Sequence, residues 1–114
     1  MVRCSGTADV SAALRICHRH SIPVVPIAAD TGLEGGANGS AGTVCLDLSG
    51  MDRILRIGAK DCDATVQCGA MKSALNAELA AHALAFPVGS GVDAGVGGMA
   101  STGPMSARRC ATAP

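Results

Sequence analysis

Two glycine-rich runs constrain this chain more than any other feature: Pro26-Ile-Ala-Ala-Asp-Thr-Gly-Leu-Glu-Gly-Gly36 and Phe86-Pro-Val-Gly-Ser-Gly-Val-Asp-Ala-Gly-Val-Gly-Gly-Met99. Each follows an apolar segment and replaces side chains with bare backbone. Glycine admits positive φ and close approach to a ligand, and successive inward amides hold phosphate without a lysine. A bulky phosphorylated ligand is the first expectation.

The remainder of the chain offers little to a core. Phe86 is the single aromatic among 114 residues. A chain of this size buries roughly two thirds of its unfolded surface, and alanine and glycine bury little area each. Nine basic and nine acidic residues cancel without forming a block of either sign. That leaves no electrostatic footprint for nucleic acid or an anionic membrane. No run reaches the roughly 18 consecutive apolar residues of a membrane span, and the N-terminus lacks the apolar stretch of a signal peptide. The expectation is a soluble chain with no nucleic-acid partner.

Six cysteines (Cys4, Cys17, Cys45, Cys62, Cys68, Cys110) are present without a Cys-x-x-Cys pair. With no secretory signal they are expected reduced, as small buried hydrophobes, and no metal site is expected. His18 and His20, two apart, point to nearly opposite sides of a helix and cannot share a metal. They and His82 are expected at the surface.

Val10, Ala13, Leu14 and Cys17 recur at helical spacing behind Thr7, an N-cap candidate, which predicts a helix over about 8–20 ended by Ser21. Residues 22–27 read as a short strand whose two prolines point to an edge or to a strand delivering its chain into a loop. Strands are expected over 43–48 and 64–68, residues 51–57 read as a short turn running into another strand, and a helix is expected from Met71 to about Leu84, stopped by Phe86-Pro87. Asp47, Asp52 and Arg53 are expected as turn and surface residues. Gln67 and Asn76 are expected to satisfy backbone groups. The order implies an α+β fold, a small sheet covered by helices, followed by a glycine-rich tail.

Neither glycine run contains the lysine of a P-loop. Gly89-Ser-Gly91-Val-Asp-Ala94 formally satisfies the dinucleotide fingerprint. Its context argues against that reading, because only Phe86-Pro-Val88 precedes it and Gly95, Gly97 and Gly98 are expected to break any following helix.

The ordered series is more specific than either run. It comprises the proline-led first loop with Thr31-Gly-Leu-Glu-Gly35, Leu46-Asp-Leu-Ser-x-Met-Asp-Arg-Ile-Leu55, Val66-Gln-Cys-Gly69, Ala74-Leu-Asn-x-x-Leu79 and Phe86-Pro-Val-x-x-Gly-x-Asp-Ala94-x-x-Gly-Gly-Met-Ala-Ser-Thr102. Over about residues 5–102 it closely resembles the FAD-binding domain of the vanillyl-alcohol-oxidase/PCMH-type flavoproteins. Within them it is most similar to the FAD-linked D-lactate dehydrogenases and their glycolate oxidase relatives. The resemblance implies a partial PCMH-type domain over 1–102 and an irregular tail over 103–114. It implies FAD as cofactor, with a D-2-hydroxy acid oxidised by the flavin and electrons passed to cytochrome c or a quinone. Carried onto this chain, Ala28, Ala29, Asp30, Thr31, Gly32 and Leu33 form one wall of the FAD site. Gly91, Asp93, Ala94, Gly97, Gly98, Ser101 and Thr102 form the other.

Departures accompany the likeness. Ala28 and Asp30 stand where the family has the glycines of Pro-x-Gly-x-Gly-Thr. A carboxylate at Asp30 beside a pyrophosphate is a like-charge contact. Gly89-Ser90 replaces an Asp-Pro pair. The segment after Thr102 reads two residues short, with Arg109 the candidate for a family arginine, and no catalytic position of the family can be carried over. Glu34 reads as a loop salt-bridge or cap partner. The expectation is an FAD-binding portion, incomplete and inactive without a substrate cap, with D-lactate or a similar acid as partner only where a cap is supplied. The alternative is a non-catalytic, degenerate FAD-domain fold acting at most as a binding module. Localisation is mitochondrial by resemblance, with no targeting peptide read at the start; the alternative is cytoplasmic.

Overall fold

A computed structural model of the chain describes residues 1–33, 35–88 and 92–103. The elements run β1 (Val2–Arg3), α1 (Thr7–Arg19), β2 (Val24–Ile27), β3 (Val44–Asp47), β4 (Ile54–Gly58), β5 (Asp63–Val66), α2 (Lys72–Ala80) and α3 (Val96–Thr102). They form a parallel three-stranded sheet in the order β1-β3-β2 and an antiparallel β4–β5 hairpin. This is an α+β fold built on two small sheets. The irregular tail expected over 103–114 lies, beyond residue 103, outside the described residues.

Proline explains the place of β2. The carbonyls of Pro23 and Ile27 accept from the amides of Val44 and Leu48 at 2.9 and 2.7 Å. Odd-numbered residues of β2 therefore turn their polar groups toward β3, and Pro26 turns its nitrogen to the open edge, where a missing N–H leaves no ladder bond unmade.

Helix α1 connects β1 to β2 and packs Val10 and Ala13 against a core of Cys4, Leu46 and Met51. Its N-cap is Gly6, so Thr7 is the first helical residue and not the cap. Asp9 instead reaches back to the amide and hydroxyl of Ser5, at 2.9 and 2.6 Å. This satisfies a donor ahead of the first turn, and the two bonds hold the Asp9 carboxyl below its ordinary value. The helix ends where Ser21 takes φ +52, with the Ile22 amide bonded to Cys17 and that of Ser21 to His18. That is a Schellman closure with serine in the left-handed position usually held by glycine. Cys17 is buried as expected, whereas Leu14 remains 44% exposed on the flank of the stripe.

Three further expectations need correction. Asp47 is buried, not a surface residue: its carboxylate accepts from Arg3 at 3.0 Å and from the amide and hydroxyl of Ser49 at 3.0 and 2.6 Å. These bonds, the Ser49 hydroxyl foremost, lower its pKa. Helix α2 closes at Ala80, a turn short of Leu84, because Ala83 enters the left-handed region and the Leu84 amide folds back to Leu79. Residues 96–102, expected to be kept from helix by Gly95, Gly97 and Gly98, are helix α3.

Other expectations match the fold. Cys4 and Cys17 are buried, while Cys62 is an exception, exposed on the β4–β5 turn at φ +53. Gln67 accepts from the Arg53 amide, and Asn76 accepts from the Phe86 amide at 2.7 Å while donating to the Phe86 carbonyl.

Candidate functional site

The two glycine-rich walls approach one another at Gly95. A β-carbon placed there would stand 3.7 Å from the Ala28 Cβ and 3.8 Å from the Ala29 Cβ. The first wall leaves the carboxyl end of β2, a side of a parallel sheet where ligands commonly bind. The second is anchored to the segment after β5. Met71 and Gly95 form an antiparallel bridge, the Lys72 amide donates to Ala94 at 3.0 Å, and the Val96 amide donates to Ala70 at 2.8 Å. Ala94 and Gly95 are consequently buried and Met99 packs inside.

Tertiary contact also explains α3. The Gly97 amide donates to the Cys68 carbonyl at 3.0 Å. A β-carbon at 97 would meet that oxygen at 2.6 Å and the Cys68 Cβ at 2.7 Å, so glycine is the residue that lets the helix seat. The helical penalty of glycine is outweighed by this close docking.

Asp93 holds the second wall to α2. Its carboxylate accepts from the Ser73 amide at 3.0 Å and from the Ser73 hydroxyl. These two bonds, with the charge of Lys72 adding, hold the Asp93 carboxyl below its ordinary value. Its oxygens thus serve to position the loop. Ser101 and Thr102 donate their hydroxyls one turn back, to the carbonyls of Gly97 and Gly98 at 2.9 and 3.0 Å. Each keeps lone pairs but spends its proton inside the helix.

In the first wall, Ala28 and Ala29 are half-buried, and Asp30, Thr31, Gly32 and Leu33 are exposed. Among the described residues the amides of 29–33 donate to no backbone carbonyl. The Gly98 amide is likewise without a backbone acceptor among the described residues, and the position of a β-carbon on Gly32 or Gly98 is open space. This donor set of uncommitted amides fits an anionic, phosphate-bearing group. Asp30 is the dissonant member, with φ +51 and an exposed carboxylate. Gly91 and Glu34 lie outside the described residues. Two surface grooves of about 650 and 450 Å³ open elsewhere, the first beside Arg53, Arg56, Glu78 and His82, the second along α1 by Val2, Ile16 and Val44. Neither contains a described residue of the walls.

Sequence reasoning missed Gly95, Cys68 and Ser73 as parts of this arrangement. Gly95 lay in the glycine run and could have been included. Nothing local marks Cys68 or Ser73, whose partners lie far along the chain.

A fold with two glycine-rich walls meeting at a sheet's carboxyl end agrees with the family comparison: residues 1–112 match the FAD binding domain family, and the chain belongs to it. FAD is the cofactor of that family. Among curated proteins the chain is similar to a probable mitochondrial D-lactate dehydrogenase of Danio rerio, 40% identical over 94 residues that make up 82% of this chain and 19% of the relative. It is 35% identical over 94 residues to the mitochondrial D-lactate dehydrogenase [cytochrome] of Arabidopsis thaliana, covering 82% of this chain and 17% of that one. The chain thus spans less than a fifth of the length of these relatives. A solved structure of alkyldihydroxyacetonephosphate synthase shares the fold with a TM-score of 0.70 at 17% identity, over 78% of this chain and 17% of that one. Among the described residues no helix is long and apolar enough to cross a membrane.

Proposed function

We propose that this chain is the pyrophosphate-holding portion of a flavin-dependent dehydrogenase for D-lactate or a similar D-2-hydroxy acid. The observation that carries the reading is the convergence of the two walls, with Gly95 against Ala28 and Ala29 and uncommitted amides over residues 29–33. FAD, when bound, supplies the hydride-accepting ring and passes electrons onward, to cytochrome c or a quinone in this proposal.

The chain's own part is binding and orientation. Amides of 29–33, with those of Gly91 and Gly98, would hold the pyrophosphate by charge-assisted hydrogen bonds, which are stronger than neutral ones. Ala94 and Gly97, both without bulk, let the second wall lie close to the ligand. Ser101 and Thr102 would accept from ribityl hydroxyls while their protons remain on Gly97 and Gly98. Asp93, through Ser73, positions that wall. Turnover of the 2-hydroxy acid is proposed to need parts of the relatives outside the matched fifth, with a cap supplying the substrate pocket. By this reading residues 1–102 are the domain portion, and the chain alone is inactive. Mitochondrial placement is proposed from the relatives, with a cytoplasmic location the alternative.

A second reading, a non-catalytic FAD-domain fold acting at most as a binding module, is favoured by Asp30 and by the side chains of Asp93, Ser101 and Thr102 being spent within the protein. Titration of the purified chain with FAD, followed by flavin fluorescence, tests the first reading: saturable quenching is expected, and none at all would overturn it. D-lactate-dependent dye reduction by the chain alone would refute both its inactivity and the second reading.

A further inference from the structure

Asp30 is the point at which this chain solves the geometry of its first wall and opposes the chemistry. At φ +51 it occupies the left-handed region, where a β-carbon is costly for most residues and least so for asparagine and aspartate. The chain thus turns its loop without the glycine of the family pattern. Ala28 and Ala29 take no positive φ, so the left-handed step of this wall falls on Asp30 alone among the described residues. Its carboxylate is exposed, and among the described residues it has no hydrogen-bond or ion-pair partner to offset its charge. It stands beside amides that would otherwise be a purely attractive cradle.

We propose that Asp30 is the affinity-setting residue of this wall: its backbone replaces glycine in shape, and its unpaired carboxylate penalises any ligand that brings phosphate charge. This rests on the FAD-binding reading above and adds to it that charge, not loop shape, limits flavin affinity in this chain. The chemistry separates the two contributions. Asparagine keeps the left-handed tolerance and removes the charge. Glycine removes charge and backbone cost together. Alanine removes the charge but keeps a β-carbon without the local hydrogen bonding that eases positive φ.

The test is FAD titration of the full chain and its D30N, D30G and D30A variants, by flavin fluorescence, at about 0.01 M and about 0.15 M ionic strength, where the screening length falls from about 30 to about 8 Å. Circular dichroism first establishes that each variant is folded. D30N is expected to bind about tenfold more tightly than the unaltered chain at low ionic strength, a difference of about 1.4 kcal/mol that lies between the bulk-water and protein-surface energies of a close like-charge pair. That advantage shrinks at the higher strength. D30G should bind at least as tightly as D30N, and D30A less tightly than either. Riboflavin, which lacks phosphate, should show no difference between D30N and the unaltered chain. Equal FAD affinity for D30N and the unaltered chain, or an advantage that persists with salt or extends to riboflavin, overturns the role of Asp30 and leaves FAD binding standing. Absence of FAD binding in the chain and in every variant overturns both.

Discussion

The Gly97 amide donates to the Cys68 carbonyl at 3.0 Å, and the Gly97 Cα lies so near that a β-carbon would stand 2.6 Å from the same oxygen. One residue thus supplies both the bond that seats α3 and the absence of bulk that the bond requires. Gly98, its neighbour, meets nothing within 4 Å of a β-carbon position.

Adjacent glycines should therefore respond oppositely to the same change. G97A is expected to destabilise the chain by about 1–3 kcal/mol through overpacking against Cys68. G98A should stabilise it by about 0.5–1 kcal/mol, the helical advantage of alanine over glycine. Urea denaturation of both variants checks the contrast, and a loss of similar size at both positions would contradict it.

Asp47 predicts the acid limb of stability. Its pKa is lower folded than the ordinary 3.8, so the unfolded chain takes up its proton first as pH falls. The stabilisation is complete above the unfolded value and is lost as pH drops through the folded one. Asp9 and Asp93 act in the same direction. D47N should lower stability at neutral pH and flatten its fall between about pH 5 and pH 2, read from thermal melts across that range.

The Asp93–Ser73 pair predicts a local effect on α2. Ser73 lies in the first turn of that helix, where amides have no partner within the helix, and Asp93 accepts from its amide. D93A should speed hydrogen exchange at Ser73 and the adjacent first-turn amides while leaving those of α1 unchanged. Uniform acceleration in both helices would indicate global destabilisation instead.

Thiol reactivity should follow position in the fold. Cys4 is fully buried, and burial, with the nearby Asp9 and Asp47 charges, pushes its thiol pKa up. Cys62 is exposed. A limiting alkylating reagent on the native chain should label Cys62 well ahead of Cys4 and Cys17, with the order lost in denaturant. Peptide mapping by mass spectrometry reads the order directly.

What a local pattern could specify was legible before the tertiary structure. β-branched runs marked strands β2 to β5, two prolines pointed β2 to an edge or into a loop, helical spacing marked α1, and the ordered motifs carried the family and its cofactor. These depend on residues a few positions apart. The helix of residues 96–102, the burial of Asp47 and the use of Asp93 as a positioning group were not legible there. Arg3 meets Asp47 across 44 positions and Ser73 meets Asp93 across 20. Gly97 follows a helical path because Cys68 offers it a carbonyl at close range, overriding a propensity that opposes it. The same division holds at the first wall: the sequence by itself put a carboxylate at Asp30, and only the folded backbone decided that it would sit in the left-handed position the wall demands, because φ at one residue is settled by where both ends of its loop are anchored.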